Sequence, residues 1–159
     1  MKFPQIPLEK LTEPPTQFIA AALLVSTDDR YLFQLRDDKH RLPLRNHWAL
    51  FGGAVEPGEN GHAAILREIQ EELHYTPTEC VWYHEAIYVL PRRENRIVRK
   101  VFYKIPISPE TVDTMILSEG SDMRLMTVAE LTGLPRIAPW DLSVVLMHAR
   151  EQTIFPDGW

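Results

Sequence analysis

The stretch Gly61–Leu73 constrains this chain more than any other. Read at about 100° per residue, Ile65, Leu66, Ile69 and Leu73 fall on one side. That stripe predicts an amphipathic helix whose apolar face must be buried against a second layer. Glu68, Glu71 and Glu72 fall on an adjacent stripe, spaced i, i+3 and i+4. Carboxylates at this spacing repel one another by roughly 0.3 kcal/mol per exposed pair, and partial burial deepens the conflict. A hard cation such as Mg²⁺ or Mn²⁺ would remove it, whereas zinc prefers His and Cys. The plainer alternative is a solvated acidic face, with Arg67 pairing to Glu71 one turn on.

The segments around this helix read as strands. Gln17–Ser26 is a continuous apolar run, and Tyr31–Leu35 follows it at hairpin distance. Arg36–Asn46 is charged, contains Pro43 and reads as a loop. Trp48–Phe51 is a short apolar run ended by Gly52-Gly53. Glu79–Leu90 and Ile97–Ile107 are rich in β-branched and aromatic residues and predict a long hairpin across Pro91–Asn95. Thr114–Leu117 is expected as a short strand. Thr127-Val128-Ala129-Glu130 fits a capping box opening a short helix, and Pro139–Glu151 predicts a terminal helix with proline in its first turn. This order implies an α+β chain, a mixed sheet with helices on its faces. Residues 1–15, with Pro4, Pro7, Pro14 and Pro15, read as an irregular lead-in, and 16–159 as one domain.

Immediately before the helix stands Gly52-Gly53-Ala54-Val55-Glu56-Pro57-Gly58-Glu59. Glycine there lets the backbone come close to a metal ion or a phosphate. Together, loop and helix resemble the Nudix family, whose signature is G-x5-E-x7-R-E-U-x-E-E-x-G-U, with U a bulky apolar residue. Gly53, Glu59, Arg67, Glu68, Ile69, Glu71, Glu72 and Tyr75 match it. Six invariant positions at about one in twenty each give a chance agreement on the order of 10⁻⁸. His74 departs from it, standing where the family has its second glycine. That glycine ends the helix in a left-handed cap; histidine can adopt that conformation at some cost, which leaves the geometry of the helix end open but does not touch the carboxylates. Gln34–Asp38, Trp48–Phe51, Glu119-Gly120 and Met126–Leu131 extend the resemblance to about residues 16–150.

The resemblance implies an α/β/α arrangement, a mixed sheet between helices, and a divalent-metal hydrolase that cleaves a phosphoanhydride bond. By position, Glu68, Glu71, Glu72 and the backbone carbonyl of Gly52 would bind Mg²⁺, with Mn²⁺ as the alternative. Glu119 is a further candidate ligand or base, weighed evenly against an ordinary surface glutamate. Glu68 and Glu119 are rival general bases. Arg67 either orients a glutamate through a charge-assisted bond or forms a helix-surface ion pair. Glu59 is expected to support the loop at the helix start.

Substrate selection lies outside the box. Arg36 and the basic hairpin Arg92, Arg93, Arg96, Arg99 and Lys100 are candidates for substrate phosphates, although the hairpin reads somewhat better as a solvated tip that blunts a sheet edge. Pro91 resembles a proline of the ADP-ribose pyrophosphatase subgroup. Trp82, Tyr83, Tyr88 and Trp140 can stack on a base or fill the core; His62, His84 and His148 read as structural. The lead expectation is a nucleoside diphosphate linked to another moiety, such as a nucleotide sugar or an ADP-ribose-like compound. A (deoxy)nucleoside triphosphate is the alternative, and a non-catalytic binding or regulatory module the reading from another class. The net charge of −5 argues against a nucleic-acid polymer as partner but not against a small anion bridged by metal. No run approaches the roughly 20 apolar residues of a membrane span. The N-terminus lacks a secretory core, and Cys80 is the only cysteine, so a cytoplasmic location is expected. A homodimer is a family-level expectation.

Overall fold

The computed structural model describes residues 12–39, 44–90 and 96–154. Strand β1 (Gln17–Ser26) is its spine. Along one edge β1 pairs in parallel with β6 (Arg96–Ile107), and β6 carries β5 (Val81–Leu90) antiparallel beyond it. Along its other edge β1 makes two antiparallel pairings. Its C-terminal end turns into β2 (Tyr31–Leu35), and its N-terminal half pairs with β4 (Phe51–Ala54) in the register Ile19↔Ala54 to Ala22↔Phe51. Strand β2 then pairs with both β3 (Trp48–Ala49) and β7 (Asp122–Met126).

The unbroken apolar run of β1 is explained by burial on both faces. Ala20, Ala22 and Leu24 point to one side, where they pack with Ile65, Ile69 and Leu73 of helix α1 (Gly61–Leu73). Ala21 and Leu23 point to the other side, where they pack with Leu131 of α3 (Val128–Gly133) and Val144 and Val145 of α4 (Pro139–Ile154). The sheet therefore lies between two helical layers, as the element order implied. Among the described residues, no helix is long and apolar enough to cross a membrane.

One local expectation needs correction. No strand forms at Thr114–Leu117; a helix, α2 (Pro109–Thr114), ends there instead. Ser108 caps it by accepting from the Thr111 N–H, and Pro109 sits where a missing N–H costs nothing. The run Trp48–Phe51 is divided between β3, which ends at Ala49, and β4, which starts at Phe51, because the Leu50 N–H leaves the ladder and donates to the Asp141 carboxylate at 3.0 Å. Strand β7 was not expected: Asp122-Met123-Arg124-Leu125-Met126 is short and half polar, and only pairing with β2 makes it a strand. The capping box at Thr127 is present, with Glu130 and Thr127 bonded reciprocally.

Candidate active site

The box folds as a strand, a turn and a helix. Asn60 caps α1 by accepting from the Ala63 N–H at 2.8 Å. Ahead of it, Glu59 accepts from the Glu56 N–H, which fixes the turn. Arg67 ties turn and helix together. It donates to both oxygens of Glu59 (3.0 and 3.1 Å), to Glu68 at 2.8 Å, to Glu71 at 3.2 Å and to the Ala54 carbonyl at 3.1 Å. Sequence reading gave Arg67 a single carboxylate partner, whereas the fold brings it three. Contact with Arg67 in turn holds the Glu59 carboxyl below its usual range.

The three helix glutamates do not share one environment. Glu71 is exposed, Glu68 is half-buried and Glu72 is only 5% exposed. Glu72 is sequestered because the helix lies against β4 and β1, and Gln34 of β2 closes over it. One of its oxygens accepts from the Gly52 N–H at 2.8 Å and the other from the Gln34 side chain at 3.0 Å. Burial pushes its carboxyl up to about 7, against the pull of those two donors and with help from the nearby charges of Glu68 and Glu119. Burial likewise raises Glu68; Arg67 opposes this, and Glu71 and Glu119 add to it. Glu68 rests on Gly53, where an added Cβ would stand 2.5 Å from its carboxyl carbon. Gly52 has φ +126°, and a Cβ there would overlap the Ala20 carbonyl oxygen.

Glu119 arrives from a distant part of the chain. The Ser118 N–H donates to the Glu72 backbone carbonyl at 2.8 Å, and the Ser121 N–H to the Leu35 carbonyl at 2.9 Å. Between these two anchors, Glu119 lies within charge range of Glu68 and Glu72. Among the described residues, no three His, Cys, Asp or Glu side chains are grouped closely enough to hold an ion as they stand. The donor chemistry nevertheless suits a hard cation. Glu72 faces two neutral donors and two further carboxylates, so its charge form lacks compensation that a divalent ion at this spot would supply.

A cavity of about 220 Å³ opens on the far side of Gly52-Gly53. Tyr88 and Trp140 wall it, their rings 5.4 Å apart, and Arg36 and Arg96 also line it. Inside stands a buried ion pair between Lys100 and Asp141, and the buried Tyr88 hydroxyl has no hydrogen-bond partner among the described residues. The basic hairpin is thus divided. Lys100 faces inward to Asp141 and Arg96 lines the cavity, while Arg99 grips Glu85 at 2.6 and 3.0 Å and lies over Phe18. Arg92 and Arg93 lie outside the described residues. Trp82 is 57% exposed and away from this cavity. His62, His84 and His148 make ring contacts with Tyr103, Phe102 and Tyr31 respectively.

Sequence reasoning missed Gln34, Lys100 as an interior residue, and Asp141. Gln34 did carry a signal, being the only polar side chain in the apolar run Tyr31–Leu35. Asp141 carried none that separates it from an ordinary acidic residue in a helix's first turn.

The family model described as NUDIX domain matches residues 15–147. Nucleoside triphosphatase NudI of Escherichia coli O9:H4 (strain HS) is 47% identical over 51 residues, which is 31% of this chain and 35% of that protein. The match thus spans about a third of the relative's length. The fold is similar to that of a MutT protein from Methanosarcina mazei Go1 (TM-score 0.73, 19% identity, 88% of this chain and 97% of that one). It is also similar to the NUDIX domain of Shewanella oneidensis NrtR in complex with ADP ribose (TM-score 0.68, 19% identity, 94% and 99%).

Proposed function

This chain belongs to the NUDIX family, and from that premise we propose that it hydrolyses a phosphoanhydride bond in a nucleoside diphosphate joined to another group, such as a nucleotide sugar or an ADP-ribose-like compound. The observation that carries this reading is Glu72: a buried carboxylate pushed up to about 7, seated on the Gly52 amide beside two more glutamates. A structural protein gains nothing from that arrangement, since each buried charge disfavours the next. A catalyst that binds a divalent ion does gain from it.

Glu68, Glu71, Glu72, Glu119 and the Gly52 carbonyl would hold the ion, Mg²⁺ or Mn²⁺. When bound, it screens the pyrophosphate charge and acidifies a water. Glu68 and Glu119 each supply a carboxylate able to take that water's proton. Half-burial raises Glu68 and makes it a stronger base than an exposed glutamate. Arg67 bridges Glu68 and Glu71 by bonding both and so screens their mutual repulsion. The Tyr88–Trp140 cavity accepts the nucleoside, with Arg36 and Arg96 on its wall for phosphate oxygens. Truncating Trp140 to alanine is expected to raise KM about tenfold with a smaller change in kcat, as removal of a stacking platform does. An unchanged KM would place the nucleoside elsewhere.

A second reading, hydrolysis of a nucleoside triphosphate, is favoured by the NudI match across 51 residues. Both are tested with one panel of nucleotide sugars, dinucleotides and triphosphates, with Mg²⁺, following phosphate released after a coupled phosphatase. Turnover is expected, fastest on a linked diphosphate. No turnover on any compound, with metal binding intact, would instead mean a binding module. Glu71→Gln is expected to remove most of the activity, at least tenfold by loss of a charged ligand; near-normal turnover would sink the metal assignment.

A further inference from the structure

We infer that His74, which stands where the family signature has glycine, is a positioning residue that presents Glu119 to the carboxylate cluster. The inference rests on the proposed function, because it gives Glu119 a part in the reaction. His74 ends α1 in the left-handed conformation, φ 50° and ψ 33°, with its own N–H donating to the Gln70 carbonyl. This is a position where glycine is unstrained and an L side chain is not. Its ring does something glycine cannot: Nε2 lies 2.7 Å from the Ser118 hydroxyl. Ser118 immediately precedes Glu119.

The bond is one of several that strap the incoming loop to the end of α1. The Ile116 N–H donates to the Leu73 carbonyl at 3.0 Å and the Ser118 N–H to the Glu72 carbonyl at 2.8 Å. These are two carbonyls that the last turn of the helix leaves without an intrahelical donor. On the far side of Glu119, both the backbone and the hydroxyl of Ser121 donate to the Leu35 carbonyl. Glu119 is therefore carried on a short span clamped at both ends. The backbone bonds set the path of that span, and the imidazole fixes Ser118 by its side chain. A glycine at position 74 would give a better helix cap and a looser span.

The two roles predict opposite signs for one substitution, which makes the claim testable. His74→Gly relieves the left-handed backbone, so its melting temperature is expected to match or exceed that of the parent. Its amides over residues 117–121 are expected to exchange hydrogen faster, and kcat to fall, each by about tenfold at most, the size set by one hydrogen bond. KM is expected to stay within about twofold, since the nucleoside cavity is untouched. Ser118→Ala should reproduce the exchange and kcat changes, and the double variant should add no further loss. His74→Gln, whose amide can bond Ser118, should recover part of both. Parental exchange and parental kcat in His74→Gly would overturn the inference, as would full additivity in the double variant. If the parent protein hydrolyses nothing on the panel, the proposed function fails, while the exchange arm still decides whether His74 tethers the loop.

Discussion

Replacing Glu72 with glutamine is expected to give a well-folded protein whose hydrolysis is reduced on the order of 1000-fold, since loss of a metal-held charge costs several kcal/mol in the transition state. The fold should tolerate the change because the site can satisfy an amide. The Gly52 N–H donates to the carbonyl oxygen, and the Gln34 amide turns to accept from the new NH₂ in place of its present bond. Stability should even rise at neutral pH. The Glu72 carboxyl sits near 7 in the fold, against about 4.5 when unburied. Between those two values the folded state holds a proton that the unfolded chain has released. Stability from this group is therefore present below about pH 4.5 and is lost as pH rises towards 7, by an amount on the order of 3 kcal/mol. Glu68 shifts in the same direction. Melting curves in EDTA should accordingly show the parent protein declining between pH 5 and 7.5, and Glu72→Gln declining less. Added Mg²⁺ at pH 7.5 should raise the parent's melting temperature more than the variant's. Activity within tenfold of the parent would remove Glu72 from the metal role, and a variant less stable than the parent at pH 7.5 in EDTA would mean that burial does not disfavour the Glu72 charge.

That prediction rests on what the sequence showed only in part. Helical periodicity placed Glu68, Glu71 and Glu72 near one another, because spacing on a helix follows from number alone. It could not rank them. Which of the three is sequestered depends on where β2 and β4 lie against α1, and that depends on pairings between residues far apart in the chain, such as Ala21 with Gly52. The same limit hid Asp141. It looks like an ordinary first-turn acid, yet it reaches the Leu50 N–H, breaks the Trp48–Phe51 run in two and compensates Lys100 inside the cavity. Strand β1 was legible end to end because burial on both faces leaves an unbroken apolar run. Strand β7 was not, because only its partner makes it a strand. His74 was legible as a departure from the signature, but its left-handed cap came only with the structure, and its bond to Ser118 joins residues 44 apart, which no local pattern records.

The adjacent glycines Gly52 and Gly53 are expected to fail in different ways when each is replaced by alanine, and the contrast separates backbone from chemistry. At Gly52 the new Cβ would overlap the Ala20 carbonyl oxygen and stand 2.9 Å from the Ala21 Cα, at φ +126°. Both obstacles are backbone of β1, which is itself paired in register with β6 on its other side. Neither can yield without opening the centre of the sheet. Gly52→Ala is therefore expected to lose at least about 3 kcal/mol, a fall in melting temperature on the order of 10 °C, with poor soluble yield. At Gly53 the backbone is ordinary, and the three atoms nearest to the Cβ all belong to the Glu68 carboxylate, with Oε2 2.7 Å away. A glutamate end can swing aside within its rotamers at about 1 kcal/mol or less. Gly53→Ala should keep nearly the parent melting temperature, yet lose about 100-fold in kcat, the penalty of moving a reacting group by about an ångström. Arg67 would be displaced with Glu68, since the two are bonded at 2.8 Å, so the loss should appear in kcat before KM. Thermal melts and steady-state kinetics on the two variants decide the matter. An inactive but unstable Gly53→Ala would mean that the glycine serves the fold rather than the carboxylate. A normally stable Gly52→Ala would mean that β4 is not held against β1 as closely as the overlap requires.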